Sequence, residues 1–233
     1  MIYHFEELTY TRGSRTMPWN PSNRMHVFYY LIDGLLIDTG PANLARVAVP
    51  FFKDQKIAQV FLTHIHEDHA GMAYWFQKNR KVPVYLHAQL LEEAQSEPVL
   101  AQYRLDIWGR RRAFAAVPAP DSISTEKYVF EVIDTPGHCR FHKALLLREK
   151  GWLFSGDLIT VLKPAAVFRE ENSSDMIASL HKVLKLPFDT VFCSHNGIIP
   201  NGRELFEKKL DYLSDVRQKV RYLRAEGRGN ADI

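Results

Sequence analysis

The chain has 233 residues, of which 46% are hydrophobic and 24% are charged, and its formal net charge is +3. This length predicts a single domain, residues 1–233, with a sizeable core. So small a basic excess does not argue for a nucleic-acid partner, whose binding needs basic side chains clustered on one face. No run approaches the roughly 18 apolar residues of a membrane span, and the N-terminus lacks the basic and apolar regions of a signal peptide.

Two cysteines, Cys139 and Cys193, are too few for a disulfide framework. We therefore expect a cytoplasmic protein in a reducing environment, with both cysteines used mainly for packing.

The first half of the chain alternates between predicted strands and helices. Asp33-Gly34 separates two apolar runs, which is a strong signal for a hairpin. Hydrophobic runs and their lengths predict the elements that follow. In chain order the predictions are strands over 27–32 and 35–37, a helix over 43–52, a strand over 57–62, a helix over 70–78 and a strand over 82–86.

The segment 96–121 has no clear periodicity, and it predicts partial helix and exposed loop rather than a second domain. It is a candidate lid or insert over a site, because specificity usually comes from loops that overhang a rigid scaffold. Its aromatic residues could wall a pocket and its basic run could meet a negative charge. The alternative is a solvated basic face with the aromatics in the core or at a dimer contact. The residues concerned are Tyr103, Trp108, Phe114, Arg110, Arg111 and Arg112.

The second half follows a similar plan. Its predicted elements are a strand over 128–133, hairpin arms over 144–147 and 152–154, a helix over 173–184 and a strand over 190–193. A last helix has one apolar face, formed by Phe206, Leu210, Leu213, Val216, Val220 and Leu223. In each half a hairpin ends in an aspartate-bearing turn and a later strand runs into histidine. We therefore expect two similar halves whose sheets are covered by helices.

Potential metal ligands recur where apolar strands end. The predicted strand over 57–62 leads into a six-residue window with three histidines, although the whole chain has ten. Three more imidazole or carboxylate side chains follow later strands, and these are the groups that Zn²⁺ takes from proteins. The candidate ligands are His64, His66, Asp68, His69, His138, Asp157 and His195. Four further histidines lack such a setting and are expected to be structural: His4, His26, His87 and His181.

This set is large enough for two ions. His64 and His66 are two residues apart, so in an extended segment their side chains point the same way and can share an ion. Asp68 and His69 come after a turn and can serve a second ion. Two ions about 3.5–4 Å apart can hold a bridging hydroxide, which is a nucleophile at neutral pH.

Three ligands remain to complete the two sites. His138 and His195 could complete one site each, and Asp157 could bridge the two ions because a carboxylate has two oxygens.

These motifs resemble the metallo-β-lactamase superfamily in its dinuclear form. The pattern His-x-His-x-Asp-His over 64–69 is highly specific, and Thr-Pro-Gly-His over 135–138 and Ser-Gly-Asp over 155–157 arrive in the expected order. The resemblance extends from the Asp-Thr-Gly turn at 38–40 to the Ser-His-Asn-Gly segment at 194–197. It implies an α/β fold, a four-layer αβ/βα sandwich with the site at one edge.

The resemblance also implies a role for each ligand. The assignment is His64, His66 and His138 to the first metal, Asp68, His69 and His195 to the second, and Asp157 as the bridge. Asp38 resembles the family's supporting aspartate, which would orient a ligand imidazole. Asp68 and His69 are the candidate catalytic residues. The expected cofactor is two Zn²⁺ per chain, although these ligands also accept iron or manganese.

Three functions are compatible with this pattern. The first is a dinuclear hydrolase that uses a metal-bound hydroxide on a small ester, thioester or lactone, so that its partner is a small-molecule substrate. The second is a mononuclear iron persulfide dioxygenase of the same fold, for which His64, His66, His138 and Asp157 would suffice. The third is a binding protein that keeps only the fold, which the full ligand set disfavours. Metallo-β-lactamases proper usually lack an aspartate like Asp157, and few residues follow His195, so antibiotic hydrolysis and a C-terminal glutathione-binding domain are not expected.

Overall fold

Two β-sheets lie face to face in the computed structural model, which describes residues 1–17, 20–164 and 167–229. The strands of the first sheet are, in spatial order, β1 (Ile2–Phe5), β2 (Leu8–Met17), β3 (Asn20–Ile32), β4 (Leu35–Ile37), β5 (Gln59–Phe61), β6 (Val84–Leu86) and β7 (Val117–Pro118). Those of the second are β8 (Ser122–Ser124), β9 (Val129–Asp134), β10 (Lys143–Leu147), β11 (Trp152–Gly156), β12 (Thr190–Cys193) and β13 (Gly197–Ile199).

Helices cover the outer face of each sheet. They are α1 (Ala45–Asp54), α2 (Glu67–Ala70), α3 (Ala73–Asn79), α4 (Leu91–Ala94) and α5 (Gln102–Trp108) in the first half, and α6 (Ser173–Val183) and α7 (Gly202–Ala225) in the second. No helix among the described residues is both long and apolar enough to cross a bilayer.

Three apolar layers separate these four structural layers. Phe52 and Phe76 belong to the core between the first sheet and its helices. Tyr30 and Phe154 lie in the core between the two sheets, and Phe206 of α7 belongs to the core on the outer face of the second sheet. The sheets are buried on both faces, which explains why their strands are nearly continuous apolar runs. The prediction of a four-layer αβ/βα sandwich is confirmed.

Most predicted elements agree with the structure within a few residues. The Asp33-Gly34 turn joins β3 to β4 with positive φ at both residues, +45° and +82°, as a tight hairpin requires. The second predicted hairpin is the antiparallel pair β10 and β11. The polar residues that follow β4, β5, β9, β11 and β12 meet at one edge of the sandwich, because parallel strands bring their carboxyl ends to the same side.

The helix predicted over 70–78 is wrong in its start and its continuity. It begins at Glu67 and is divided into α2 and α3. The division falls where the turn at 38–40 packs against it: Met72 N donates to Gly40 O at 3.0 Å. A Cβ on Gly71 would lie 2.9 Å from Gly40 O, so only glycine permits this close approach.

The basic run over 110–112 does not reach the edge of the sandwich where the candidate metal ligands meet. The expectation that this run meets a negative charge of the substrate there is therefore wrong. Arg110 pairs with exposed Glu97, and Arg112 lies over the Tyr74 ring. Arg111 is buried and donates to two backbone carbonyls at 3.3 Å. Phe114 is buried in the helix-side core of the first sheet. The alternative, a solvated basic face with aromatics in the core, holds for Arg110, Arg112 and Phe114, but it is wrong for Arg111, which is buried.

The apolar face of α7 is covered only along its N-terminal half. Phe206 is fully buried, and Leu210 and Leu213 pack against the same core. Val216, further along the helix, is 39% exposed.

The first prediction concerns the turn at 38–40. Gly40 has φ of +70°, and an added Cβ would lie 2.1 Å from the ring of buried Tyr29. We expect Gly40→Ala to lower the free energy of unfolding by about 2–4 kcal/mol, through backbone strain and overpacking. Urea unfolding at fixed metal content measures this.

Gly227→Ala is the matched control, since Gly227 has φ of +79° and nothing within 4 Å of an added Cβ. It should lose only about 1 kcal/mol. An equal loss in both variants would show that the contact with Tyr29 is not what requires glycine.

Candidate metal centre

Three histidines from two loops direct ring nitrogens at one point. His64 Nε2 lies 3.0 Å from His66 Nδ1, and His138 Nε2 lies 3.1 Å from the same Nδ1. His64 and His66 leave β5 in an extended segment, while His138 follows β9 of the other sheet. One ligand atom from each lies within 4.8 Å of the others, which is compatible with a single ion.

A second cluster lies beside the first and combines two imidazoles with two carboxylates. His195 Nε2 lies 3.3 Å from Asp68 Oδ2 and 3.2 Å from Asp157 Oδ2. His69 Nε2 lies 3.3 Å from the same oxygen of Asp157. The seven sequence-predicted ligands therefore meet at this edge. They form one group of His64, His66 and His138 and another of Asp68, His69, Asp157 and His195.

Asp157 lies between the two clusters. Its Oδ2 is also 3.6 Å from His138 Nε2, so one carboxylate approaches ligands of both groups. Among the described residues, Asp157 Oδ1 and His69 Nε2 are fully buried yet have no hydrogen-bond partner. A buried polar atom without a partner costs about 1–3 kcal/mol, and bound metal ions would remove that cost. The donor set thus fits a pair of cations.

Asp38 holds the ligand loops in position from behind. Its Oδ2 lies 2.8 Å from His69 Nδ1, and its Oδ1 accepts from Thr63 N at 2.8 Å. Ser194 Oγ, which follows β12 of the second sheet, donates to Asp38 Oδ2 at 3.2 Å. His195 Nδ1 lies 2.6 Å from the carbonyl oxygen of His26, so its ring is oriented by backbone. With Nδ1 engaged, both imidazoles present Nε2 to the cluster.

His142 is fully buried behind the ligands, although no motif in the sequence marks it as part of the site. Its Nε2 accepts from the backbone N–H of Asp157 at 3.0 Å, and its Nδ1 lies 2.8 Å from Thr135 Oγ1. Burial lowers its pKa to about 3, so it stays neutral and can accept. No spacing rule identifies such a residue, because its partner lies in another strand.

The ligand imidazoles divide into two electrostatic groups. Burial, with the neighbouring imidazoles, lowers the pKa of His64 well below its usual range and that of His66 to about 3. Burial would also lower the pKa of His69 and His195, but the nearby carboxylates together outweigh it and raise both. Asp157 and Asp68 act on both rings, and Asp38 acts on His69 as well. Metal binding to the second cluster must therefore displace protons from His69 and His195, whereas His64 and His66 hold none at neutral pH.

A cavity of about 740 Å³ opens above the two clusters. Five of the seven candidate ligands line it: His66, Asp68, His138, Asp157 and His195. Tyr103 and Trp108 of α5 line it as well, so this part of the 96–121 segment does overhang the site. His26, which the sequence had assigned a structural role, also faces the cavity.

Arg104 connects the ligand loop to the walls of this cavity. Its Nη2 donates to Glu67 Oε2 at 2.9 Å, and its Nε contacts the other oxygen of the same carboxylate. Glu67 lies between His66 and Asp68 in sequence, and its side chain is only 2% exposed. Arg104 Nη1 also donates to Glu170 Oε1 at 3.1 Å, across the cavity. No short-range sequence pattern predicts the pairing of Arg104 with Glu67, which lie 37 positions apart.

Residues 23–195 match the model of the family described as the metallo-β-lactamase superfamily, and the chain belongs to that superfamily. It is 30% identical over 175 residues to a hydroxyacylglutathione hydrolase of Halorhodospira halophila, covering 74% of this chain and 61% of that one. The chain thus spans about three fifths of the length of the curated relatives that it matches. These names agree with the expected enzyme class, a metal-dependent hydrolase.

Solved structures of low sequence identity share the fold. The metallo-β-lactamase FIM-1 from Pseudomonas aeruginosa, in a mono-zinc form, superposes with a TM-score of 0.70 at 16% identity, covering 93% of this chain and 95% of that one. A protein called TTHA1623, in a di-iron-bound form, superposes with a TM-score of 0.60 at 22% identity, covering 88% and 96%.

The second prediction concerns the ion pair beneath the ligand loop. Arg104→Met would leave the Glu67 carboxylate buried without a partner, and we expect a loss of about 3 kcal/mol in unfolding free energy. Arg110→Met removes an exposed pair with Glu97 and should cost less than about 1 kcal/mol. Adding Glu67→Gln to Arg104→Met should recover part of the loss in urea unfolding. No recovery in the double variant would contradict the ion-pair explanation.

The third prediction concerns pH. A metal ion binds unprotonated imidazole, and the raised pKa values of His69 and His195 mean that these rings gain protons first as pH falls. Zinc titrations of metal-free protein between pH 8 and pH 6 should show the ion of the second cluster losing more than about tenfold in affinity per pH unit. His66, with its pKa of about 3, stays unprotonated throughout, so the affinity of the first cluster should change far less. Equal pH dependence of both ions would contradict this division.

Proposed function

We propose that this protein is a dinuclear metal-dependent hydrolase of a small ester, thioester or lactone. The observation that carries the proposal is the pair of adjacent ligand clusters. Asp157 of the second cluster also lies 3.6 Å from His138 of the first, and its Oδ1 is buried without a partner among the described residues. A pair of ions bound there would lower the pKa of water, supplying a nucleophile at neutral pH, and would polarise a carbonyl group.

The ligand assignment is part of this proposal. The first ion would be held by His64, His66 and His138, the second by Asp68, His69 and His195, and both by Asp157. Asp38 and His142 would fix the orientation of these ligands without touching an ion, through His69 Nδ1 and the backbone N–H of Asp157.

Asp68 and His69 are the residues that we assign to the chemistry. Burial would raise the pKa of the Asp68 carboxyl, but the nearby imidazoles of His69 and His195 outweigh it and lower the pKa. The carboxylate thus stays ionised at neutral pH, and as it lines the cavity it can accept a hydrogen bond from the attacking water. In the overall reaction, water oxygen bonds to the acyl carbon, the C–S or C–O bond breaks, and the leaving group takes a proton.

The cavity supports a substrate of modest size with an apolar portion. Its volume of about 740 Å³ falls in the range of small-molecule pockets. Its apolar lining includes Ile107, Trp108 and Phe168. The relatives are named for hydrolysis of an acylated glutathione, and this favours a thioester among the three substrate classes.

We propose zinc as the native metal, with iron or manganese as the alternatives that imidazole and carboxylate ligands also accept. The two structural neighbours, one with zinc and one with iron, illustrate both possibilities within this fold. A mononuclear iron dioxygenase would need only the first cluster and Asp157 as metal ligands. The complete second cluster, with its unpartnered His69 Nε2, favours the dinuclear hydrolase.

The fourth prediction tests the assignment by elemental analysis of protein purified with sufficient metal. Wild type should contain two ions per chain, and Asp68→Ala should retain about one, because Asp68 contacts the second cluster only. Asp157→Ala should lose affinity for both ions, and hydrolysis of a thioester, an ester and a lactone panel should fall by at least about 100-fold in both variants.

Asp106→Asn is the matched control, since Asp106 is an exposed carboxylate outside both clusters, and it should keep both ions and full activity. One iron per chain in wild type, with oxygen consumed on a persulfide and no hydrolysis, would overturn the dinuclear proposal in favour of the dioxygenase.

A further inference from the structure

The walls of the cavity carry opposite charges. On one side, Glu171 Oε1 lies 3.4 Å from His138 Nδ1, and Glu170 lies 3.9 Å from His66 Nε2. On the other side, Arg24 and His26 of β3 line the cavity next to His195. The acidic wall thus stands beside the first cluster and the basic wall beside the second.

The two arginines that line the cavity differ in how they are neutralised. Arg104 is engaged by Glu67 and Glu170, so its charge is compensated within the protein. Arg24 is exposed at the cavity, and no acidic side chain of the described residues pairs with it. A guanidinium without an internal counter-ion remains available to a carboxylate or phosphate of a ligand.

The β2–β3 hairpin concentrates positive charge around this position. Arg24 pairs with Thr16 of β2, and His26 pairs with Ser14. Arg12 precedes Ser14 by two residues, so its side chain lies on the same face of the sheet as Arg24 and His26. Burial lowers the pKa of His26, and the guanidinium groups of Arg12 and Arg24 lower it further. This face of the hairpin therefore carries two guanidinium groups besides the imidazole of His26.

We infer that Arg24 forms an anion-binding subsite of the cavity, and that the substrate is an anionic thioester or ester with a carboxylate or phosphate group near its reacting carbonyl. The inference rests on the proposed function for the reaction of the substrate. For the charge of the substrate it rests on Arg24 in the cavity wall. The acidic wall at Glu170 and Glu171 repels the same group, so the substrate is oriented with its anion towards the hairpin. Its apolar portion then lies against Trp108 and Ile107, which line the remainder of the cavity.

The experiment compares two thioesters that differ only in charge, S-hexanoyl mercaptoacetate and S-hexanoyl mercaptoacetamide. Wild type should show a KM about tenfold lower for the carboxylate, and this preference should weaken with added salt. Arg24→Gln should remove most of the preference by raising KM for the carboxylate alone, while Arg24→Lys should restore part of it. Arg110→Gln, which removes a cation outside the cavity, should leave both KM values unchanged.

A binding measurement keeps the inference testable if none of these compounds is hydrolysed. The inert thioethers (hexylthio)acetate and (hexylthio)acetamide are titrated calorimetrically into metal-loaded wild type and Arg24→Gln. A carboxylate preference that Arg24→Gln abolishes supports the subsite. If no substrate of the panel is hydrolysed, only the hydrolase proposal fails. Equal binding of the two thioethers, or a preference that survives in Arg24→Gln, would overturn the subsite while leaving hydrolysis unaffected.

Discussion

The arrangement of this site depends on the hydrogen bonds made by the Asp38 carboxylate. It is buried at the end of β4 and accepts hydrogen bonds from Thr63 of the first sheet and Ser194 of the second. Its remaining contact is to His69 Nδ1 at 2.8 Å. A buried carboxylate is costly unless its oxygens are satisfied, so each of these partners must stay in place for the others to be favourable. One side chain thereby fixes the relative position of two sheets and the tautomer of one candidate ligand.

Packing around this carboxylate explains the unusual backbone nearby. Asp38 itself has φ of +58°, and Gly40 has φ of +70°. Both values allow the turn to fold over α2, where Thr39 N donates to His69 O at 2.7 Å. The backbone strain of this turn lies next to the candidate ligands, where many surrounding contacts hold the strained conformation in place. The interruption between α2 and α3 at Gly71 has the same origin.

Charge is distributed in layers around the proposed metal pair. The ligands supply two carboxylates, and a second set of acidic groups, Glu67, Glu170 and Glu171, surrounds the first cluster. Arg104 compensates part of that set and connects α5 to both sides of the cavity. The hairpin wall has no such acidic complement among the described residues, so the field across the cavity is asymmetric. An asymmetric field orients a charged ligand before any specific contact forms.

Sequence patterns were enough to predict the fold class, the family and the seven candidate ligands. Ligand spacing over 64–69 is local, and the apolar runs that precede each ligand place it at a strand end, so both features can be read without coordinates. The charges that face the cavity could be identified only from the packing of the sheets and helices. Arg110, Arg111 and Arg112 formed the conspicuous basic run, yet they pack elsewhere, whereas isolated Arg24 and Arg104 line the site. The same holds for His142, whose partner is the backbone of Asp157. Charge contacts between distant strands depend on how sheets and helices stack, and no short-range pattern records that stacking.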